Sequence, residues 1–224
     1  MSACEVLVLG AGGHGKVVVS TAQAAGFVVR AVLDDVAAKW GQTLLGCPIA
    51  GPLDKARDWP ACAAVIAVGD NRLRQGVSRR LNLEWLTLVH PRAYVDANAR
   101  LGPGSVVLAG AMVQAGACLG SHVIVNTSAS IDHDCVIGDS VHVAPGAHLA
   151  GEVEVGAGVL LGLGSQVLPG RKIGAWSIVG AGATVTRDVP PGVVVAGVPA
   201  RIMRKFDAQS ASDRGTNAEH GSQS

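Results

Sequence analysis

The sequence predicts a small α/β unit followed by a long parallel β-helix, and three observations carry that expectation. First, an aliphatic residue recurs every six positions from Val95 to Val185, sixteen times without a miss. Second, the residue four places after each is usually small or β-branched, as at Ala99, Ser105, Ala111, Ala117 and Val123. Third, the residues before this repeat read as strand, glycine turn, helix, strand and acidic pair. A fixed hexapeptide period marks a solenoid. A buried helix would need a period near 3.6, and the pattern never drifts toward it.

In order along the chain, Glu5 to Leu9 is an apolar strand ending in Gly10-Ala11-Gly12-Gly13-His14-Gly15-Lys16. Val17 to Ala25 reads as a helix, and Val28 to Leu33 as a second strand ending in Asp34-Asp35. The glycines at 10, 12 and 15 fit GxGxxG, with the acid about twenty residues on, as in a dinucleotide-binding fold. Such a turn aims backbone N–H groups and a helix N-terminus at a phosphate. Ala63 to Val68 reads as a buried strand, and Arg72 to Leu83 as a helix whose arginines (Arg72, Arg74, Arg79, Arg80) form a solvated face. Leu86 to Val89 is a last short strand, and His90-Pro91 leads into the repeat.

The division is therefore residues 1–90 for the α/β unit, 91–206 for the β-helix and 207–224 for a polar tail without periodicity, expected to be disordered. Within the β-helix three hexads make one triangular coil. The aliphatic residue fills the axis, and glycine serves the corners, where unusual backbone angles are open to it. Coils stack about 4.8 Å apart, so about five coils give a prism on the order of 25 Å long.

Composition agrees. Hydrophobic residues make up 49% of the 224, yet aromatics only 3%, which suits a prism too narrow for rings. A net charge of +1 gives no bulk attraction to nucleic acid or anionic membranes. No apolar run is long enough for membrane insertion, and Val6-Leu7-Val8-Leu9 is a strand, not a leader, so a cytoplasmic protein is expected. Cys4, Cys47, Cys62, Cys118 and Cys135 show neither CxxC nor metal spacing and are expected reduced, Cys135 in an inward small position.

The repeat breaks its own rule between Val125 and Leu149. Glycine is missing after four of five aliphatic residues, and the stretch holds His133, Asp134, His142 and His148. Broken regularity points to function. His133 falls on a corner and points outward. Residues eighteen apart stack on neighbouring coils, which puts Gly151 on one side of His133 and Ala115 on the other. The space beside the imidazole would admit a long thin ligand. His133 is a candidate general base near neutral pH. Asp134 could orient it, and the Gly151 N–H could face an oxyanion.

The string from Asn126 to Asp139, the glycine loop, Asp34-Asp35 and the Gly197-Val198-Pro199-Ala200 ending together resemble the sugar O-/N-acyltransferases of the sialic-acid O-acetyltransferase type, and within them the nucleotide-sugar N-acetyltransferases. The resemblance implies a left-handed β-helix, a homotrimer and a groove between prisms for acetyl-CoA as co-substrate. It implies a Rossmann-like first unit that holds a UDP- or GDP-linked amino sugar of the 4-amino-4,6-dideoxy type rather than NAD. By resemblance, His133, Asp134 and Asn126 are the catalytic group. His142 and Gly151 would line the thioester end of acetyl-CoA, with Ala181, Gly182 and Arg201 farther along it. Gly12, Gly13, His14, Asp34 and Asp35 would form the sugar-nucleotide pocket. No metal is implied.

Three other readings stay open. Sugar O-acetylation is the nearest. A metal enzyme like the γ-type carbonic anhydrases would use His133, His142 and His148, although their spacing is not a clear ligand set. A non-catalytic nucleotide-sugar sensor would use the prism only to assemble.

Overall fold

A computed structural model describes residues 4–205; the tail expected at 207–224 lies outside them. The first unit is a three-stranded parallel sheet. Its central strand β1 (Glu5–Leu9) is flanked by β2 (Val28–Leu33) and, after the hairpin β3 (Thr43–Leu44) and β4 (Cys47–Pro48), by β5 (Ala63–Ile66). Helix α1 (Gly13–Ala24) starts inside the glycine turn, four residues earlier than the apolar pattern suggested. Gly13 and His14 are therefore part of its first turn. Helix α2 (Asn71–Arg80) is capped by the Asp70 carboxylate, which accepts from Leu73 N–H at 2.8 Å.

The second unit is a left-handed parallel β-helix of about six turns. All sixteen aliphatic positions of the repeat are the second, inward residue of a two-residue strand, from Tyr94–Val95 to Thr184–Val185. Strands eighteen residues apart pair in parallel, as Ile124↔His142 and Val125↔Val143, giving three flat faces. Leu88–Val89 pairs with Val106–Val107 and so forms the first rung of one face rather than a strand of the α/β sheet. Val193–Ala196 adds a rung at the far end of the same face, which lengthens the helix beyond the five coils expected. We call this the first face; it also carries Ile124, His142, Leu160 and Ile178. The second face runs from Tyr94 to Thr184, and the third from Arg100 to Lys172. The axis is dry, filled by residues such as Val125, Ile131, Val143 and Leu161 with Cys135 among them. Each such side chain contributes roughly 1.5–3 kcal/mol by burial.

The corners work differently from expectation. Glycines just after the aliphatic residue, such as Gly138, do not serve left-handed backbone. They allow close stacking: a Cβ at Gly138 would lie 2.6 Å from Ala157 N. The left-handed position comes two residues later. Glycine fills it at Gly104, Gly110, Gly116 and Gly146, but His122 (φ 56°), Ser128 (55°), Asp134 (57°) and Ser140 (54°) take it in consecutive hexads, as do Glu152 (61°) and Trp176 (61°). A non-glycine residue there costs roughly 1–2 kcal/mol, less for short polar side chains.

The first unit lies on the first face. Val106, Ile124 and Leu108 are buried beneath it. The arginine expected on a solvated face, Arg74, is 1% exposed and bridges the two units. Its guanidinium donates to Val68 O (2.9 Å), Gly69 O (3.1 Å) and Asn71 Oδ1 (2.8 Å) in its own unit, and to His122 O (2.9 Å) and Ser140 O (2.9 Å) of the β-helix. The apolar pattern could not reveal this, because what buries Arg74 is the β-helix on which α2 docks, a contact that periodicity within α2 does not report.

Gly138→Ala should lower stability by about 1–3 kcal/mol, because its methyl group meets backbone that cannot yield. Ser128→Gly, at an exposed left-handed corner, should be neutral or stabilise by up to about 1 kcal/mol. Urea midpoints at constant slope measure both; equal losses would contradict the assignment of the two corner positions.

Candidate functional site

The glycine turn is tight at both ends. Gly10 (φ 126°) donates to Leu33 O at 2.7 Å, and a side chain at Gly15 would collide with the Gly10 carbonyl. Between them Gly12 and Gly13 are exposed, and a Cβ at either would meet nothing within 4 Å. Asp34 closes the turn. Its carboxylate accepts from Ala11 N–H (2.7 Å), Val36 N–H (2.9 Å) and Lys39 Nζ (2.9 Å). Burial pushes this carboxyl up, but the Lys39 ammonium and the two N–H groups outweigh it and hold its pKa below the ordinary value. Asp34 is thus committed to the turn itself. Asp35 accepts from Leu53 N–H (2.9 Å) and pairs with Arg80 (3.2 Å). A cavity of about 530 Å³ opens beside them, lined by Gly10, Asp34, Asp35, Arg72 and Arg80 among others. Arg72 and Arg80 were not singled out as site residues from sequence; their places near the start and at the end of α2 bring them to the cavity.

His14, in the first turn of α1, points toward the β-helix. Its ring centroid lies 6.3 Å from that of His142. His142 stands on the first face, with Nδ1 3.3 Å from Gly69 O and Nε2 3.0 Å from Asn126 Nδ2. Thr127 N–H donates to Asn126 Oδ1 at 2.8 Å, which fixes the amide so that Nδ2 is the donor to His142. A carbonyl only accepts, so His142 Nδ1 carries the proton and the ring is neutral. Burial first, then Arg74 and His14, lower its pKa to about 4. Burial and Arg74 do the same to His14, also to about 4, and its Nε2 has no hydrogen-bond partner among the described residues. The structure thus brings together His14, Asn126 and His142, residues the sequence had distributed among three roles.

His133 is elsewhere. It lies on the corner between second and third faces, which in a triangular prism is opposite the first face. Its Nδ1 is 2.9 Å from Asp134 Oδ2, so Nδ1–H donates to the carboxylate and Nε2 keeps its lone pair. Asp134 above all, helped by Asp132 and Glu152, raises the His133 pKa. The ring packs on Gly151, where any Cβ would collide with the imidazole. Gly151 accepts from Gly170 N–H at 3.0 Å, while its own N–H donates to none of the described backbone carbonyls. Asn126 therefore does not meet His133 within one chain. Ala181 and Gly182 lie on the corner between first and second faces, with open space over Gly182, and Arg201 begins the exposed strand Arg201–Lys205. His148 is on the second face, hydrogen-bonded to Ser130 Oγ at 2.8 Å. His133, His142 and His148 do not converge within the chain.

Residues 5–81 match the PglD N-terminal domain. A UDP-N-acetylbacillosamine N-acetyltransferase of Bacillus subtilis is 42% identical over 111 residues, 47% of this chain and 51% of that protein. The chain thus spans about half the length of this relative. PerB from Caulobacter crescentus, solved in complex with CoA and GDP-perosamine, is 40% identical with a TM-score of 0.84, over 89% of this chain and 97% of that one. The acetyltransferase domain of PglB from Neisseria gonorrhoeae, solved in complex with acetyl coenzyme A, is 38% identical with a TM-score of 0.85, over 90% of this chain and all (100%) of the other.

The buried histidines fix a pH dependence. His14, His122 and His142 are each lowered to about 4, from an ordinary value of 6.5. Between those values the unfolded chain takes up protons that the folded chain refuses. Stability present above 6.5 is therefore lost as pH falls toward 4. His133, raised instead, has the opposite sign but is exposed and screened. Urea unfolding should show lower stability at pH 5 than at pH 7.5 (both about a unit from the histidine value). His122→Asn should flatten that slope by roughly a third; an unchanged slope would mean His122 is not held neutral.

Proposed function

Because the chain belongs to the nucleotide-sugar N-acetyltransferases built from a PglD-type first unit and a hexapeptide-repeat β-helix, we propose that it transfers an acetyl group from acetyl-CoA to the amino group of a nucleotide-linked amino sugar. The observation that carries this reading is the His133 imidazole, with Nδ1 tied to Asp134, Nε2 free, and Gly151 directly beside it. That is a general base poised next to a backbone N–H, the arrangement acyl transfer to an amine needs.

In this mechanism the neutral sugar amine adds to the thioester carbonyl, forming the C–N bond. His133 Nε2 takes a proton from the nitrogen, and Asp134 stabilises the imidazolium. Gly151 N–H donates to the oxyanion. Collapse breaks the C–S bond, and the imidazolium returns its proton to the departing CoA thiolate. Cys135 lies on the prism axis and takes no part. The nucleotide end of the sugar binds at residues 1–90, with Gly12, Gly13, His14 and Asp35 at the pocket. Asp34 supports the turn. CoA runs along the β-helix of residues 91–206, past Gly151 toward Ala181, Gly182 and Arg201.

The site is completed by a second chain. His133 sits on the corner opposite the face where His14 of the first unit meets His142 and Asn126, so the base and that group converge only between protomers. Exposed Tyr94, Met112 and Val136 flank the His133 corner and supply apolar surface for such contacts. We read the assembly as a homotrimer and the protein as cytoplasmic; no described helix is long and apolar enough to cross a membrane.

Sedimentation equilibrium should give three times the chain mass, and a monomer at micromolar concentration would remove the shared site. His133→Ala should keep that assembly and lower kcat about 10²–10⁴-fold. Wild-type kcat/KM should rise with pH through a group above the ordinary histidine value, because Asp134 raises the His133 pKa. Asp134→Asn should move that limb to lower pH, and His133→Ala should abolish it, all on one substrate so that its own amine titrates identically. A mutant with near wild-type rate and an unchanged profile would make His133 a surface residue.

A further inference from the structure

The cavity beside Asp35 holds a cation that the chain itself does not neutralise. Arg80 is paired with Asp35 (3.2 Å) and Asp54 (3.7 Å). Arg72, lining the same cavity from the first turn of α2, has no carboxylate within ion-pair distance among the described residues. What it has is an aromatic face from the other unit. Its guanidinium carbon lies 4.6 Å from the centroid of a Trp176 ring.

Trp176 sits on the corner between third and first faces, in the column Gly104, His122, Ser140, Gly158, Trp176. Its φ of 61° is a conformation that glycine adopts at no steric cost, as at Gly104 and Gly158 of the same column. The indole folds back on Gly158, where any Cβ would collide with it. Its other partner is Arg72. The turn that carries Arg72 is fixed by its neighbours. Asn71 Nδ2 donates to Gly158 O (3.1 Å) and Val159 O (3.0 Å), and Arg74 is bonded to the next two coils. The guanidinium is thus held over the ring face, and an arginine stacked on an aromatic keeps N–H groups at its edge for an anion.

We propose that Trp176 is a positioning residue for the nucleotide sugar: by stacking under Arg72 it presents the guanidinium edge to the diphosphate in the adjoining cavity. The proposal rests on the nucleotide-sugar reading given above. The β-helix then does more than carry the acetyl donor; one of its corners shapes the pocket of the first unit.

The test uses the full chain, with UDP, GDP and CoA as calorimetric probes. Arg72→Ala should weaken binding of the favoured diphosphate on the order of 10- to 100-fold, the usual range for a charged hydrogen bond. Trp176→Gly relaxes the corner, and Trp176→Leu keeps bulk without a ring. Each should weaken diphosphate binding about three- to tenfold while CoA affinity stays within about twofold. Trp176→Phe keeps a π face and should stay near wild type. The separating readout is the double mutant. In an Arg72→Ala background, Trp176→Leu should cause no further loss, because tryptophan acts through the arginine. Unchanged diphosphate affinity in folded Trp176→Leu, or a full additional loss in the double mutant, would overturn the proposal. Wild-type protein that binds neither UDP nor GDP would instead overturn the nucleotide-sugar reading on which it stands.

Discussion

The constraint on which this structure depends is the eighteen-residue register that its coils keep as far as Val185. Every residue of the β-helix stacks on the residue one coil away, at about 4.8 Å. A large side chain on a corner therefore needs almost no side chain beside it. The pairs follow: His122 against Gly104, Ser128 against Gly110, Asp134 against Gly116, His133 against Gly151, and Trp176 against Gly158. In each pair a Cβ on the glycine would crowd its partner. Such a corner is thus a two-residue feature, a projecting side chain and the glycine that makes room for it.

Arg74 sets the electrostatics where the two units meet. Among the described residues no side-chain carboxylate lies within hydrogen-bonding reach of it; carbonyl oxygens from both units, with the Asn71 amide oxygen, satisfy its N–H groups. Burial lowers its pKa to about 10, partly opposed by Asp70, so it stays charged at neutral pH. That fixed charge helps to keep His14, His122 and His142 neutral. A neutral His14, whose Nε2 finds no partner among the described residues, can donate or accept a hydrogen bond, where an imidazolium could only donate. The contact that holds the units together also sets the protonation state of the polar group between them. His133, on the opposite corner, is governed by carboxylates instead and moves the other way.

The repeat made the β-helix legible, because an unbroken aliphatic period has one economical three-dimensional solution. The stacking of His133 on Gly151 was legible for the same reason: it needs only the number of residues per coil. Two kinds of feature were not. The partition of corner glycines between close approach and left-handed backbone depends on φ, and both kinds read simply as glycine. The junction was opaque because it is built from contacts between residues far apart in sequence, such as Arg74 with Ser140 and His14 with His142. Nothing in local periodicity marks those contacts. The broken regularity visible from Val125 to Leu149 was the loss of glycine just after the aliphatic residue; the run of non-glycine left-handed corners from His122 to Ser140 occupies another position of the hexad and was not legible.

The strained corners show how the two units divide the work. Of the six described non-glycine residues of the β-helix in left-handed backbone, His122, Ser140 and Trp176 lie on the corner where α2 docks. Asp134 and Glu152 lie on the opposite corner, flanking His133, and Ser128 sits beside the Asn126–Thr127 pair that orients His142. Corners with no such neighbour, at Gly164, Gly170 and Gly182, keep glycine. Within the β-helix, strain of roughly 1–2 kcal/mol per residue thus falls where the side chain docks a unit, neighbours the pair that orients His142 or flanks His133. A long β-helix can carry it, because its axis buries an aliphatic residue in every hexad and each contributes as much as one strained corner costs. The regular core is what permits the irregular edge, and the chemistry is read along that edge.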